Sequence, residues 1–316
     1  MNWIDSAIDK LLIKPEGEIN SRLEQVGFEL NITDTKAKGY CYSVKLDGNG
    51  NVRWKDLVDY IALSIVDYSI PKKEIDAAKE YFNKTRSTSK IINLKRKATE
   101  LFTDLKTTGE GGEMLLYILI QEFLKIPQLI SKMSIKTSGN MHYHGVDGIH
   151  VQFDSITDNL ILYWGESKMF SNVNDAIQKC FESLNGFMVE AYGSNSTHER
   201  DLQLISSNIS QNVNDEKLEN LLVRYFDKDD DLSNKIQYKG VCFIGFDFDM
   251  YPTQPLTTTT TAIKKNIEDK MQKWLDKTSE NILKHNNLNL YEMHVFLIPF
   301  PSVQDFRDYF IHTINS

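Results

Sequence analysis

Asp147, Glu166 and Lys168 are the residues of this chain whose types and spacing could do chemistry. The segments Val146 to Phe153 and Leu160 to Lys168 are rich in Val, Ile, Leu, Phe, Tyr and Trp. The polar run Asp154-Ser155-Ile156-Thr157-Asp158-Asn159 separates them, which reads as a β-hairpin. Symmetry about the Ile156/Thr157 bond pairs Phe153 with Leu160, Val151 with Leu162, Ile149 with Trp164, and Asp147 with Glu166. Opposed residues share a face, with Cβ atoms about 4.5–5.5 Å apart, and like charges so placed repel, so something cationic is expected between them. Lys168 falls on the face of Glu166, because side chains alternate along a strand. Together Asp, Glu and Lys can hold a divalent ion and a water beside it. A Glu-x-Lys pair alone also reads as a strand-end salt bridge of little worth. The opposed Asp147 and the apolar neighbours of both strands favour the chemical reading.

Other candidates surround this pair. Glu110 and Glu113 open a helix and share one side of it, although acids at a helix start also simply complement the helix dipole. His142 and His144, with Asp147, invite a zinc site of three ligands. The His-x-His-x-x-Asp spacing and the missing histidines of a second site make it more natural that they flank the site and touch phosphate or solvent. His150 is expected to face away from Asp147 as a structural residue. Asp247 and Asp249 make another carboxylate pair on one strand face, without a nearby Lys or His.

The 316 residues, 41% hydrophobic and 25% charged, are an ordinary globular composition with enough apolar mass for a sizeable core. The longest apolar run, Met114 to Ile120, is far shorter than the roughly 20 residues needed to cross a bilayer. The start, Met-Asn-Trp-Ile-Asp, lacks the features of a secretory signal, so a cytoplasmic protein is expected. Cys41, Cys180 and Cys242 are widely separated and in no metal-like spacing, and are read as buried, inert thiols. A net charge of −8 argues against a broad nucleic-acid footprint. The exception is local: nine Lys or Arg against three acids between residues 71 and 97 give that segment +6. Its basic helix reads as a solvated face or, more sharply, as a contact for DNA or an acidic partner, with Lys95, Arg96 and Lys97 the candidate residues.

The elements that must position these residues follow from period and turn chemistry. An N-terminal α+β unit of residues 1–95 is expected to hold a helix at Trp3 to Leu12 and strands near Gln25 to Leu30 and Tyr40 to Leu46. The turn Asp47-Gly48-Asn49-Gly50-Asn51, a helix from Trp54 to Tyr68 and the basic helix after Pro71 follow. A boundary in the polar, basic stretch Ser87 to Lys97 leads to a second unit, 96–316. There a helix from Gly111 to Leu124 precedes the hairpin, then come helices at Val173 to Phe187, Leu202 to Ile209 and Glu216 to Tyr225. A strand Gly240 to Asp249, a Thr-capped long helix to Lys284, a strand Tyr291 to Pro299 and a helix Val303 to Ile314 complete it. Mixed strands flanked by helices indicate an α/β (α+β) fold.

The pattern Asp-x(18)-Glu-x-Lys, preceded by an acidic residue opening a helix, resembles the PD-(D/E)XK phosphodiesterase superfamily, with Val146 where that motif has proline. The wider context carries more. Gly109-Glu110-Gly111-Gly112-Glu113, Gly145-Val146-Asp147-Gly148, Gly165-Glu166-Ser167-Lys168 and Pro299-Phe300-Pro301-Ser302 make the chain, from about Ala98 onward, similar to the HamA family, the nuclease subunit of the Hachiman anti-phage defence system. The resemblance implies a restriction-endonuclease-like core with a mixed sheet, and a metal-dependent DNA endonuclease restrained by a superfamily 2 helicase subunit (HamB-like). It implies Mg²⁺ or Mn²⁺ on Asp147, Glu166 and the Ser167 backbone carbonyl, with Glu113 or its rival Glu110 as a further carboxylate. Lys168 would hold the attacking water or balance phosphate charge. By analogy with relatives, Gln178 and Lys179 would approach the substrate. The alternative is a catalytically inactive, nuclease-like scaffold that docks and regulates a partner ATPase.

Overall fold

The computed structural model describes residues 3–13, 17–102, 109–131, 147–189 and 197–316. Its frame is a seven-stranded mixed sheet in the order β1-β2-β7-β6-β5-β4-β3. The strands are β1 (Leu23–Asn31), β2 (Ala37–Val44), β3 (Gln128–Ile130), β4 (Gly148–Asp154), β5 (Asn159–Phe170), β6 (Ile236–Asp247) and β7 (Met293–Phe300). β5, β6 and β7 run parallel at the centre, β2 joins β7 in parallel, and β1, β4 and β3 are antiparallel to their neighbours. The central strands are covered on both faces, which is why Val241-Cys242-Phe243-Ile244 and Val295-Phe296-Leu297-Ile298 read as continuous apolar runs and not as alternation.

The helices are α1 (Trp3–Asp9), α2 (Trp54–Leu63), α3 (Ile65–Ser69), α4 (Lys72–Thr85), α5 (Ser89–Glu100), α6 (Glu110–Leu119), α7 (Val173–Met188), α8 (Thr197–Asn212), α9 (Glu216–Phe226), α10 (Thr260–Leu283) and α11 (Val303–Asn315). Their caps follow the sequence. The Asn172 side chain accepts from the N–H groups of Asn174 and Asp175, Thr259 from Ala262, and Ser302 from Asp305, each satisfying an orphan donor of a first turn. No helix among the described residues is long and apolar enough to cross a membrane.

Several expected elements are altered. The helix expected at Trp54 to Tyr68 breaks at Ser64 into α2 and α3, and the basic helix divides at Arg86, whose φ of 62° puts it in the left-handed region. The helix expected to run to Leu124 closes at Leu119 and continues as a wider π turn over Ile120–Leu124. The short strand β3 was not expected at all.

The largest correction concerns domains. The boundary at residue 95 falls inside α5, and β1 and β2 are the edge of the same sheet that holds β5. Cys41 pairs with Leu297 across the β2/β7 ladder, and one core runs from Ala7 to Ile314. Residues 1–95 therefore do not close a core of their own. Strand composition alone could not reveal that β2 would join a strand some 250 positions later in the chain.

Candidate active site

The hairpin forms in the expected register: Phe153 pairs with Leu160, Val151 with Leu162 and Ile149 with Trp164, closed by a turn in which Asp154 accepts from the Ile156 N–H at 2.9 Å. The ladder ends at Gly148 opposite Gly165. One step beyond, Asp147 does not continue it as a plain pair with Glu166. Its N–H donates to the Gly165 carbonyl at 2.8 Å, and its carboxylate accepts the Ser167 N–H at 2.7 Å. The strands part there, and Asp147 is held in the opening. In a strand the N–H and C=O of one residue leave along the same edge, so the Ser167 carbonyl also faces the Asp147 side.

Glu166 stands at this opening with 2% of its surface exposed. Lys168, one alternation on, donates from its ammonium to Glu166 Oε1, and Ser183 of α7 hydrogen-bonds the same carboxyl. Burial pushes the Glu166 carboxyl well above the usual carboxylate range, and the charge of Asp147 pushes the same way, against the pull of Lys168. Burial pulls the Lys168 ammonium down, but the charges of Glu166 and Asp147 outweigh it and leave that group raised. Two carboxylates share one ammonium in a poorly solvated place, so the arrangement favours added positive charge.

Opposite faces of β5 carry different parts of the site. Trp164 stacks on Phe187 and Glu166 meets Ser183, so the even-numbered residues face α7. The odd-numbered residues face α6, and here the glycines matter. A Cβ on Gly112 would lie 2.7 Å from Ser167 Oγ, and one on Gly111 would lie 3.1 Å from the rings of Phe306 and Phe310. Two glycines in a helix cost conformational entropy, but here they let α6 lodge between β5 and α11 with its acidic N-terminus at the end of the hairpin. Glu110 is buried there, and half-buried Glu113 accepts a hydrogen bond from the Tyr68 hydroxyl at 3.0 Å. Burial raises the Tyr68 phenol far above its usual value, and the charges of Asp147 and Glu110 raise it further, so this ring stands within reach of both.

The remaining expected residues divide. Gln178 and Lys179 are exposed on α7 and bond Glu182 at 2.6 and 2.8 Å, while the same helix turns Cys180 and Ser183 to the strand. His142 and His144, and with them the zinc alternative, lie outside the described residues. His150 is buried with its Nδ1 on the Ile126 carbonyl at 3.1 Å, and burial holds it down at about 4, a neutral structural imidazole as expected. Asp247 accepts the Val303 N–H at 2.6 Å and so anchors the start of α11. Lys95, Arg96 and Lys97 are exposed on α5, Arg96 bonding Asn93 and Lys97 pairing with Glu74 at 2.6 Å. The three cysteines are free and buried.

Sequence reasoning missed Tyr68, Ser183 and Arg307. The Arg307 guanidinium reaches from α11 to the Met169 carbonyl near the end of β5. Tyr68 and Arg307 come from elements remote in sequence, Ser183 from the helix that follows β5, and none stands in a motif. Among the described residues no group of three or more His, Cys, Asp or Glu side chains could enclose a metal by itself. Two carboxylates and one carbonyl instead suit a hard ion such as Mg²⁺, which keeps several of its waters and needs only one or two protein carboxylates.

The HamA family profile matches residues 20–314, nearly the whole chain. The chain belongs to the HamA family. The match extends well before Ala98, where the sequence resemblance was first legible, and so includes β1 and β2, in keeping with the single sheet. Membership makes the protein a component of the Hachiman defence system. A comparison with curated proteins found no match.

Proposed function

We propose that this HamA-family chain is a cytoplasmic, Mg²⁺-dependent DNA endonuclease of the PD-(D/E)XK type, the effector of its defence system, held in check by a helicase subunit. The observation that supports this best is the parting of β4 and β5 at Asp147 and Glu166, with the Lys168 ammonium on the Glu166 carboxyl. Asp147, Glu166 and the Ser167 carbonyl would hold the ion, and Mg²⁺ so held supplies Lewis acidity to a scissile phosphate and lowers the pKa of a bound water. Lys168 orients that water or offsets charge on the phosphate as it is attacked. Asp147, fixed by the Ser167 N–H, cannot swing out of the opening without breaking a charge-assisted hydrogen bond. Glu110 and Glu113, reached through Tyr68, would place a further carboxylate on the α6 side.

Net charge supports a partner. A chain of −8 is poorly suited to bind DNA alone, so another subunit would deliver the substrate. The basic surface of α4 and α5, with Lys95, Arg96 and Lys97, is the proposed contact for partner or DNA. The test is cleavage of circular and single-stranded DNA by the purified chain with Mg²⁺, with and without the helicase, beside Glu166→Ala. Metal-dependent cutting by the wild type that disappears in the variant is expected. Cutting retained by Glu166→Ala would overturn the site. No cutting under any condition, with the partner still bound, would leave the scaffold in its place.

A further inference from the structure

Away from the carboxylates, a cavity of about 330 Å³ lies where α3, α4, α6 and β3 meet. That volume is at the small end of ligand sites. Lys72, Ile75 and Lys79 line it from one side of α4, at the spacing that brings helical residues onto a common face. Asp67, Gln121 and Tyr117 also line it, and an adjoining cavity of about 180 Å³ shares these three residues. Tyr117 is 4% exposed, and its hydroxyl has no hydrogen-bond partner among the described residues. Buried hydroxyls are nearly always satisfied, so such a group at a cavity wall is one that a bound molecule would complete. Burial holds the Asp67 carboxyl above its usual range against the pull of Lys79 and Lys72, which puts both ammonium groups within electrostatic reach of that wall.

We infer that this cavity binds a phosphorylated ligand of mononucleotide size. Lys79 is exposed and Lys72 half-buried, the latter 3.7 Å from Asp76, and both are flexible-stemmed point charges of the kind suited to a phosphate. Gln121, Asp67 and the Tyr117 hydroxyl offer the mixed donors and acceptors that a base or sugar edge requires. Ile70 and Ile75 supply apolar contact for the flat face of a ring. A simple anion would use the lysines and leave the buried Tyr117 hydroxyl unmatched. The ligand would also lie two side chains from the acids of α6, since the Tyr117 ring meets that of Tyr68 at 5.4 Å and Tyr68 holds Glu113. The inference concerns binding and stands whether or not the chain cuts DNA.

The test is isothermal titration calorimetry of the full chain with each of the common nucleoside 5′-monophosphates and, separately, with inorganic phosphate. It is repeated on a Lys72→Ala/Lys79→Ala variant and on Tyr117→Phe, which removes only a hydroxyl. The expected result is saturable binding of at least one monophosphate, weakened about tenfold or more by loss of the lysines and measurably by Tyr117→Phe. Phosphate alone should bind far more weakly. Absence of saturable binding by every monophosphate, or affinity unchanged in the lysine variant, overturns the inference. Phosphate matching the best monophosphate would also overturn it, by leaving an anion site without a nucleotide.

Discussion

Lys168 is the residue on which the electrostatics of the site turn. It is the cation that lets Glu166 stay buried beside Asp147, and with 29% of its own side chain exposed it is far more accessible than Glu166. Replacing it by Met keeps the apolar stem and removes the charge. Glu166 then faces Asp147 with no counter-charge from its own strand and can relieve the repulsion only by taking up a proton. The sign of the pH dependence follows. Glu166 has a raised value in the folded chain, about 7 against an ordinary 4.5, so its contribution to stability is complete below 4.5 and lost as pH rises through the folded value. Without Lys168 the folded value climbs further, so the loss continues at higher pH, at about 1.4 kcal/mol for each unit over which only the wild type is ionised. Lys168→Met should therefore cost more stability at pH 8 than at pH 6 in urea unfolding. Glu166→Gln/Lys168→Met, with no such carboxyl, should remove that difference. An equal cost at both pH values would show that Lys168 does not compensate Glu166. At this scale the sequence was most legible: period-two alternation put Glu166 and Lys168 on one face, and hairpin symmetry brought Asp147 to the same place. It could not show the Ser167 N–H on Asp147, because that bond exists only where the ladder stops.

At the scale of elements, α6 and β5 are set by how closely they approach. Gly112 stands over Ser167 and Met169, and its place at a β5 contact explains why a helix leading a site carries adjacent glycines. Alanine there brings opposed effects, since it favours the helix and needs the short Ser167 hydroxyl to move. Valine adds two more atoms in the same gap, and overpacking of this kind costs about 1–3 kcal/mol. Gly112→Val should lower stability by about that much and, by lifting the start of α6, should break the Tyr68–Glu113 bond and reduce cleavage beyond what the stability loss explains. Cleavage at wild-type rate in a folded Gly112→Val protein would show that the acids of α6 take no part. The glycines were visible in the sequence as part of the Gly-Glu-Gly-Gly-Glu run, but their contact partners were not, because Phe306 and Phe310 belong to the last helix of the chain. Helix breaks were the least legible feature. Ser64 interrupts a run whose apolar spacing continues through it, from Val58 and Ile61 to Ile65 and Tyr68, whereas Arg86 lies in a polar run, 83–90, that reads equally as a solvated helix face or a break.

At the scale of the whole molecule, the sheet order makes the two ends of the chain interdependent. β2 supplies the ladder partner of β7, and α2 packs beside α6 and α11, so residues before 95 cover surfaces that belong to the site-bearing half. The basic, polar stretch Ser87 to Lys97 reads as a boundary because composition shifts there. Such a shift marks an exposed surface as readily as a linker, and here it marks the outer side of α4 and α5. A fragment of residues 96–316 would therefore expose the edge of β7, whose Val295, Phe296 and Leu297 are fully buried in the intact chain, as an unpaired apolar strand. It would also lose Tyr68, the side chain that joins Glu113 to the neighbourhood of Asp147. The fragment should fail to give a cooperative urea transition and should aggregate, whereas the full chain unfolds cooperatively. Co-expression with residues 1–95 as a separate chain should restore solubility, because the two halves meet in one core. A soluble, cooperatively unfolding fragment that cuts DNA with Mg²⁺ would show that the N-terminal strands only decorate an independent nuclease core.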